Sequence, residues 1–139
     1  MRDFIRFLPN ARDALFRICL SPSRQEQVGL LLGDDTDVRH VVALTNLRPV
    51  IQGHGFRIAQ GEIDRLRDAH SGHTVLGRFH THPNTSARPS NSDIASLPPG
   101  WCEVIVRLSG RWQAPQVAQI HGYCGADVPI SVMFQERAA

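Results

Sequence analysis

A chain of 139 residues is long enough to enclose one hydrophobic core and falls within the size of one domain, residues 1–139. Apolar residues make up 42% and charged ones 20%, which excludes a disordered chain. No apolar run approaches a membrane span, and a formal charge of +2 carried by dispersed arginines lacks the concentrated basic patch that nucleic-acid binding needs.

In chain order, Asp3 to Leu8 reads as an opening strand, and Asn10 to Leu20 as a helix that turns Leu15, Ile18 and Cys19 toward a core. Val28 to Leu32 and Val38 to Leu44 are strands around the turn Gly33-Asp34-Asp35, a hairpin pattern. Ile58 to Ala69 is amphipathic, with Ile63 and Leu66 on its apolar stripe. Thr74 to Phe79 is a strand that Pro83 should break, residues 84 to 89 form a loop, and a short helix starts near Ser90 and stops before Pro98-Pro99-Gly100. Cys102 to Leu108, Gln116 to His121 and Pro129 to Phe134 complete the strands. The expected fold class is α/β: a mixed sheet with helices on both sides, strand order undetermined.

The N-terminal MRDFIRFLPNARD lacks the continuous apolar segment of a signal peptide, so a cytoplasmic location is expected. Cys19, Cys102 and Cys124 form no C-x-x-C pair, so three buried, reduced thiols are expected rather than a disulfide framework or a second zinc site. All fifteen basic residues are arginine, a bias expected from codon usage in a GC-rich genome, with escape from lysine modification as the alternative reading.

The chemistry concentrates in His80-Thr81-His82-Pro83, followed by Ser90-Asn91-Ser92-Asp93. Two histidines two apart at the end of a strand present both imidazoles on one face, and a carboxylate in the first turn of the following helix faces back toward them. Two imidazoles and one carboxylate suit a catalytic zinc ion, which takes three protein ligands and keeps a fourth position open. Zinc is the expected metal, because imidazole and carboxylate suit it and hydrolysis needs no redox change, while the affinity order alone leaves cobalt, nickel and iron open. Ser90 and Asp93 also fit a helix capping box, the reading they would receive in isolation. His40, His54, His70, His73 and His121 carry no comparable signal and read as solvated or structural.

This pattern resembles the JAMM (JAB/MPN, Mov34/PAD-1-like) zinc metalloproteases, of the small prokaryotic type. The family signature is a distant Glu, then H-[ST]-H-P, a loop and S-x-x-D. The upstream E-x-x-G-L-L-x-G matches Glu26 to Gly33, and the stretch from Asn46 through Pro49 to Phe56 and Glu62 looks like the family's connection from strand to helix. The resemblance covers nearly the whole chain and implies a cytidine-deaminase-like α/β/α layering. It implies His80, His82 and Asp93 as zinc ligands, Glu26 as the general base that later serves the leaving amine, and Ser90 as donor to the oxyanion.

The implied activity is a zinc-dependent isopeptidase or peptidase cleaving after the C-terminal Gly-Gly of a ubiquitin-like or sulfur-carrier protein, by deconjugation or precursor processing. Such a tail could add to a β-edge beside the site, and activating or conjugating enzymes are implied associates. No membrane or nucleic-acid partner is expected. The chain is near the minimal family core, without the insertions that give chain-linkage selectivity. The alternatives are a non-catalytic MPN-type interaction module and a zinc hydrolase acting on another substrate.

Overall fold

The computed structural model describes residues 2–52, 55–83, 89–125 and 127–138. The elements in order are β1 (Phe4–Phe7), α1 (Pro9–Cys19), β2 (Val28–Asp34), β3 (Asp37–Leu44), a short 3-10 turn (Val50–Gln52), α2 (Gln60–Ala69), β4 (Thr74–Pro83), α3 (Asn91–Ser96), β5 (Cys102–Ser109), β6 (Gln116–Cys124) and β7 (Val128–Phe134). This is the expected mixed sheet with flanking helices, and its strands follow the order β1-β3-β2-β4-β5-β6-β7 in a closed ring. β1 lies parallel to both β3 and β7 and joins the two ends. It meets β3 only through Arg6 and Phe7, so the later part of β3 has no strand from β1 beside it.

β2 shows why the apolar run Leu30-Leu31-Leu32 is a strand rather than a buried helix. Leu31 joins Leu15 and Cys19 of α1 in one core, whereas Val28, Leu30 and Leu32 join Ile63 of α2 in another. Side chains alternate across a strand, so covering both faces makes every position apolar. Gly29 lies directly opposite Phe79 of β4. A Cβ there would run into the Phe79 ring and the Val42 carbonyl oxygen, so glycine is what lets the Phe79 ring lie across β2.

α1 starts with proline in its first turn, where a missing N–H costs nothing, and buries Ala11, Ala14, Leu15 and Cys19 along one stripe while Ile18 packs at its border. The hairpin between β2 and β3 turns at Asp35, whose φ of 55° is a conformation aspartate tolerates. α2 begins at Gln60 rather than Ile58, because the chain is still extended at Ala59; Phe56 and Ile58 instead pack against the α2-side core as an incoming strap.

One expectation is extended and another is corrected. β4 continues past Phe79 through His80 and His82 to Pro83, the expected end of the strand, with parallel β5 accompanying it to Leu108. Cys102 and Cys124 are not free thiols. They face each other across β5 and β6, with Cα atoms 4.5 Å apart, and form a disulfide. Cys19 alone is free, and burial pushes its thiol up to about 12. The loop expected over residues 84 to 89 falls mostly outside the described residues.

Candidate metal centre

β4 carries an irregularity that matters for the site. Opposite Leu31 and Leu32 of β2 stand Gly77 and Val75, so Leu76 is an extra residue on β4. This bulge resets the alternation, and Val75, Arg78, His80 and His82 all lie on the α2 side of the sheet, while Leu76 and Phe79 enter the α1-side core. The imidazoles of His80 and His82 therefore share a face, and their Nε2 atoms approach to 2.8 Å.

Asp93 reaches the same point from α3. Its Oδ2 lies 3.3 Å from Nε2 of each histidine. The capping box is real and serves the site: Asp93 N–H donates to Ser90 Oγ at 3.0 Å, and Ser90 N–H donates to Asp93 Oδ2 at 2.8 Å. The capping and functional readings of Ser90-x-x-Asp93 are thus compatible, since the cap fixes the carboxylate that faces the histidines. Accepting a bond also leaves the Ser90 hydroxyl its own proton to donate.

Glu26 precedes β2 and is buried at the same centre. Its Oε2 accepts a hydrogen bond from the Gly55 N–H at 2.7 Å, while Oε1 is buried without a hydrogen-bond partner. One ligand atom from each of Glu26, His80 and His82 lies within 4.8 Å of the others. Asn46 secures this arrangement: its amide donates to the Glu26 carbonyl at 2.8 Å and to the Gly55 carbonyl at 3.2 Å, and its oxygen accepts from the N–H groups of Arg48 and Arg57. Glu62 holds Thr45 by backbone and hydroxyl. The family-like stretch from Asn46 to Glu62 is therefore the clamp that carries Gly55 to Glu26.

Burial raises the Glu26 pKa, and the positive potential of His80 and His82 and the Gly55 N–H only partly oppose it. Burial would lower that of His80, but the Glu103 and Asp93 carboxylates outweigh it and raise the value to about 9. Asp93 is the reverse: burial works to raise its pKa, yet hydrogen bonding to His80 and His82 holds it far below the usual range. The centre opens onto a cleft of about 680 Å³ lined by Glu26, His82, Ser90 and Asp93, with Phe56 and Trp101 as apolar walls.

Two residues that sequence reading did not single out complete the surroundings. Arg78 and Glu103 are each 2% exposed and sit directly opposite one another on parallel β4 and β5. Arg78 Nε donates to Glu103 Oε2 at 2.7 Å, and Glu103 Oε1 lies 2.8 Å from His80 Nδ1. Opposite charges embedded in the apolar runs Val-Leu-Gly-Arg-Phe and Cys-Glu-Val-Ile-Val were the available signal, because buried charges occur in pairs. Of the remaining histidines, His40, His70 and His73 gather before the start of β4, His121 is exposed, and His54 lies outside the described residues.

Against known families, residues 9–119 match the prokaryotic homologs of the JAB domain. The chain belongs to this family. Solved structures carry the same JAB/MPN fold. A protein from Desulfitobacterium hafniense is 23% identical with a TM-score of 0.65, covering 96% of this chain and 94% of its own. A JAB1/MPN domain protein from Archaeoglobus fulgidus is 17% identical with a TM-score of 0.62, covering 96% and 100%. A structure described as a metalloprotease-like zinc site in the proteasome and signalosome is 14% identical with a TM-score of 0.58, covering 96% and 99%. No curated protein matches the chain. This JAB domain has residues suited to hold a metal, and no helix among its described residues is long and apolar enough to cross a membrane.

Proposed function

We propose that this JAB domain is a zinc-dependent isopeptidase or peptidase that cleaves after the C-terminal Gly-Gly of a ubiquitin-like or sulfur-carrier protein. The observation that carries the reading is the convergence of His80 Nε2, His82 Nε2 and Asp93 Oδ2 beside a buried Glu26 oxygen that has no hydrogen-bond partner. Two nitrogens bound tetrahedrally to zinc at about 2.0 Å stand roughly 3.3 Å apart, close to the spacing of these donors.

His80, His82 and Asp93 would hold the ion, which supplies Lewis-acid activation of water and of the scissile carbonyl. Glu26 takes the proton of the attacking water on Oε1 and delivers it to the leaving amine; a pKa raised by burial suits a group that must first accept and then release a proton. Ser90 donates to the oxyanion as it forms. Phe56 and Trp101 line the cleft as apolar walls against which a substrate tail could pack. A Gly-Gly tail has no side chains to obstruct its passage, and the part of β3 beyond Val38, unaccompanied by β1, offers an edge for strand addition. Activating or conjugating enzymes are the implied associates.

The direct test offers the zinc-loaded protein a linear fusion and a lysine-linked conjugate of one such carrier. Cleavage after Gly-Gly of either supports the reading and identifies the bond. Binding of the carrier without cleavage of either would assign the domain to the non-catalytic interaction modules of this fold.

A further inference from the structure

Arg78, His80 and Glu103 form a buried charged cluster on the side of His80 away from His82. Glu103 divides its two oxygens, Oε2 against Arg78 Nε at 2.7 Å and Oε1 against His80 Nδ1 at 2.8 Å. The second contact is close but not linear, and neither of those two buried atoms has any other hydrogen-bond partner. The remaining donors of Arg78 reach the helix that bears Asp93: Nη2 to the Asp93 carbonyl at 2.8 Å and to Ser96 Oγ at 3.0 Å, and Nη1 to the Ser96 carbonyl at 3.2 Å. The Phe56 ring covers both partners, 4.8 Å from the Arg78 guanidinium and 4.9 Å from the His80 ring.

We propose that Glu103 and Arg78 are positioning residues for the metal centre: Glu103 keeps the proton of His80 on Nδ1 so that Nε2 faces the ion, and Arg78 locks α3, and with it Asp93, to the histidine strand. The inference rests on the metal-centre reading above and adds to it. Three ligands arrive from two elements, β4 and α3, and backbone pairing fixes only those on β4. Arg78 supplies the missing tie, because a planar guanidinium with five donors can grip a carboxylate and two helix carbonyls together. Glu103 is not itself a ligand. Although its carboxylate comes within 4.8 Å of ligand atoms of His80 and Asp93, it faces Nδ1 at hydrogen-bonding distance, with no space for an ion between. A carboxylate on the outer nitrogen of a ligating imidazole fixes the ring's tautomer and orientation.

The test follows cobalt(II) binding by its visible spectrum and by competition, in the parent, in Glu103→Gln and in the double variant Arg78→Met/Glu103→Gln. The double variant leaves no unpaired buried charge, so it guards against simple failure to fold. Both variants should bind cobalt about ten- to a hundredfold more weakly than the parent, with an altered spectrum, while the double variant retains the parent's circular dichroism. A merely structural pair would be restored by the double variant, and cobalt binding there with the parent's affinity and spectrum overturns the proposal. Nitrogen-15 imidazole resonances of the zinc-loaded parent give an answer that needs no variant: His80 should carry its proton on Nδ1, and ligation through Nδ1 overturns the assignment. If the parent takes up neither cobalt nor zinc, the metal-centre reading falls and this inference with it; normal binding by the parent and by both variants removes this inference alone.

Discussion

Histidines gather at both ends of β4, in different company. Before its first residue, His73 and His70 lie with ring centroids 4.8 and 5.4 Å from His40. His40 is exposed, and the neighbouring carboxylate of Asp34, 3.7 Å from His73, is already engaged by Arg39 at 2.7 Å. Burial and the positive neighbours His73, His70 and Arg39 lower the His40 pKa. At the far end, His80 is fully buried between two carboxylates and its pKa rises to about 9. Among the described residues, the sets of three donors whose ligand atoms approach within 4.8 Å of one another all include His80. Proximity of imidazoles therefore does not make a site; enclosure and carboxylates that hold each ring do.

Loss of a ligand should have the largest effect. His82→Ala should abolish both metal uptake and turnover, measured as zinc per chain and cleavage of a Gly-Gly fusion, whereas the same change at His73 should alter neither. Glu26→Ala separates holding from chemistry: zinc content should stay at the parent's level while turnover falls by about 10²–10⁴-fold, the usual share of a general base. Near-normal turnover in that variant would refute its role. Ser90→Ala should keep the metal and lose roughly ten- to a thousandfold in turnover, with a stability loss of about 1 kcal/mol from the missing cap. If only the stability changes, Ser90 is a cap and nothing more.

The two ends should also respond to pH in opposite directions when metal is chelated. The His80 pKa is raised above its unfolded value near 6.5, so its stabilisation is complete below about 6.5 and is lost as pH rises through about 9. His40 is lowered, so the folded state resists its protonation and stability falls as pH drops below about 6.5. Thermal melts of the chelated protein, with His40→Asn to remove the acid-side limb, check both signs; the His40 effect should be the smallest of all, given its exposure.

Much of this contrast is legible in the amino-acid sequence. The spacing of His80, His82, Ser90 and Asp93 brings these side chains to one centre through local geometry, a strand face and a capped helix, whereas Glu26 ahead of Gly29 is legible only through the family resemblance. Arg78 and Glu103 are signalled only as charges inside apolar runs, and their direct opposition on parallel β4 and β5, which reveals the pair, depends on strand register. The disulfide is hidden for the same reason: Cys102 and Cys124 carry no motif spacing, and their meeting depends on the register of β5 against β6. Closure of the ring is likewise beyond periodicity, because β1 pairs with strands from near the start and the end of the chain. The helix boundary falls at Gln60 because Phe56 and Ile58 are held extended against the core.

Zinc content per chain, measured in the purified protein without chelator and again in His82→Ala, tests the central claim most directly. One zinc in the parent and none in the variant is the predicted result. No zinc in the parent after supplementation, or equal zinc in both proteins, would contradict a metal centre at His80, His82 and Asp93.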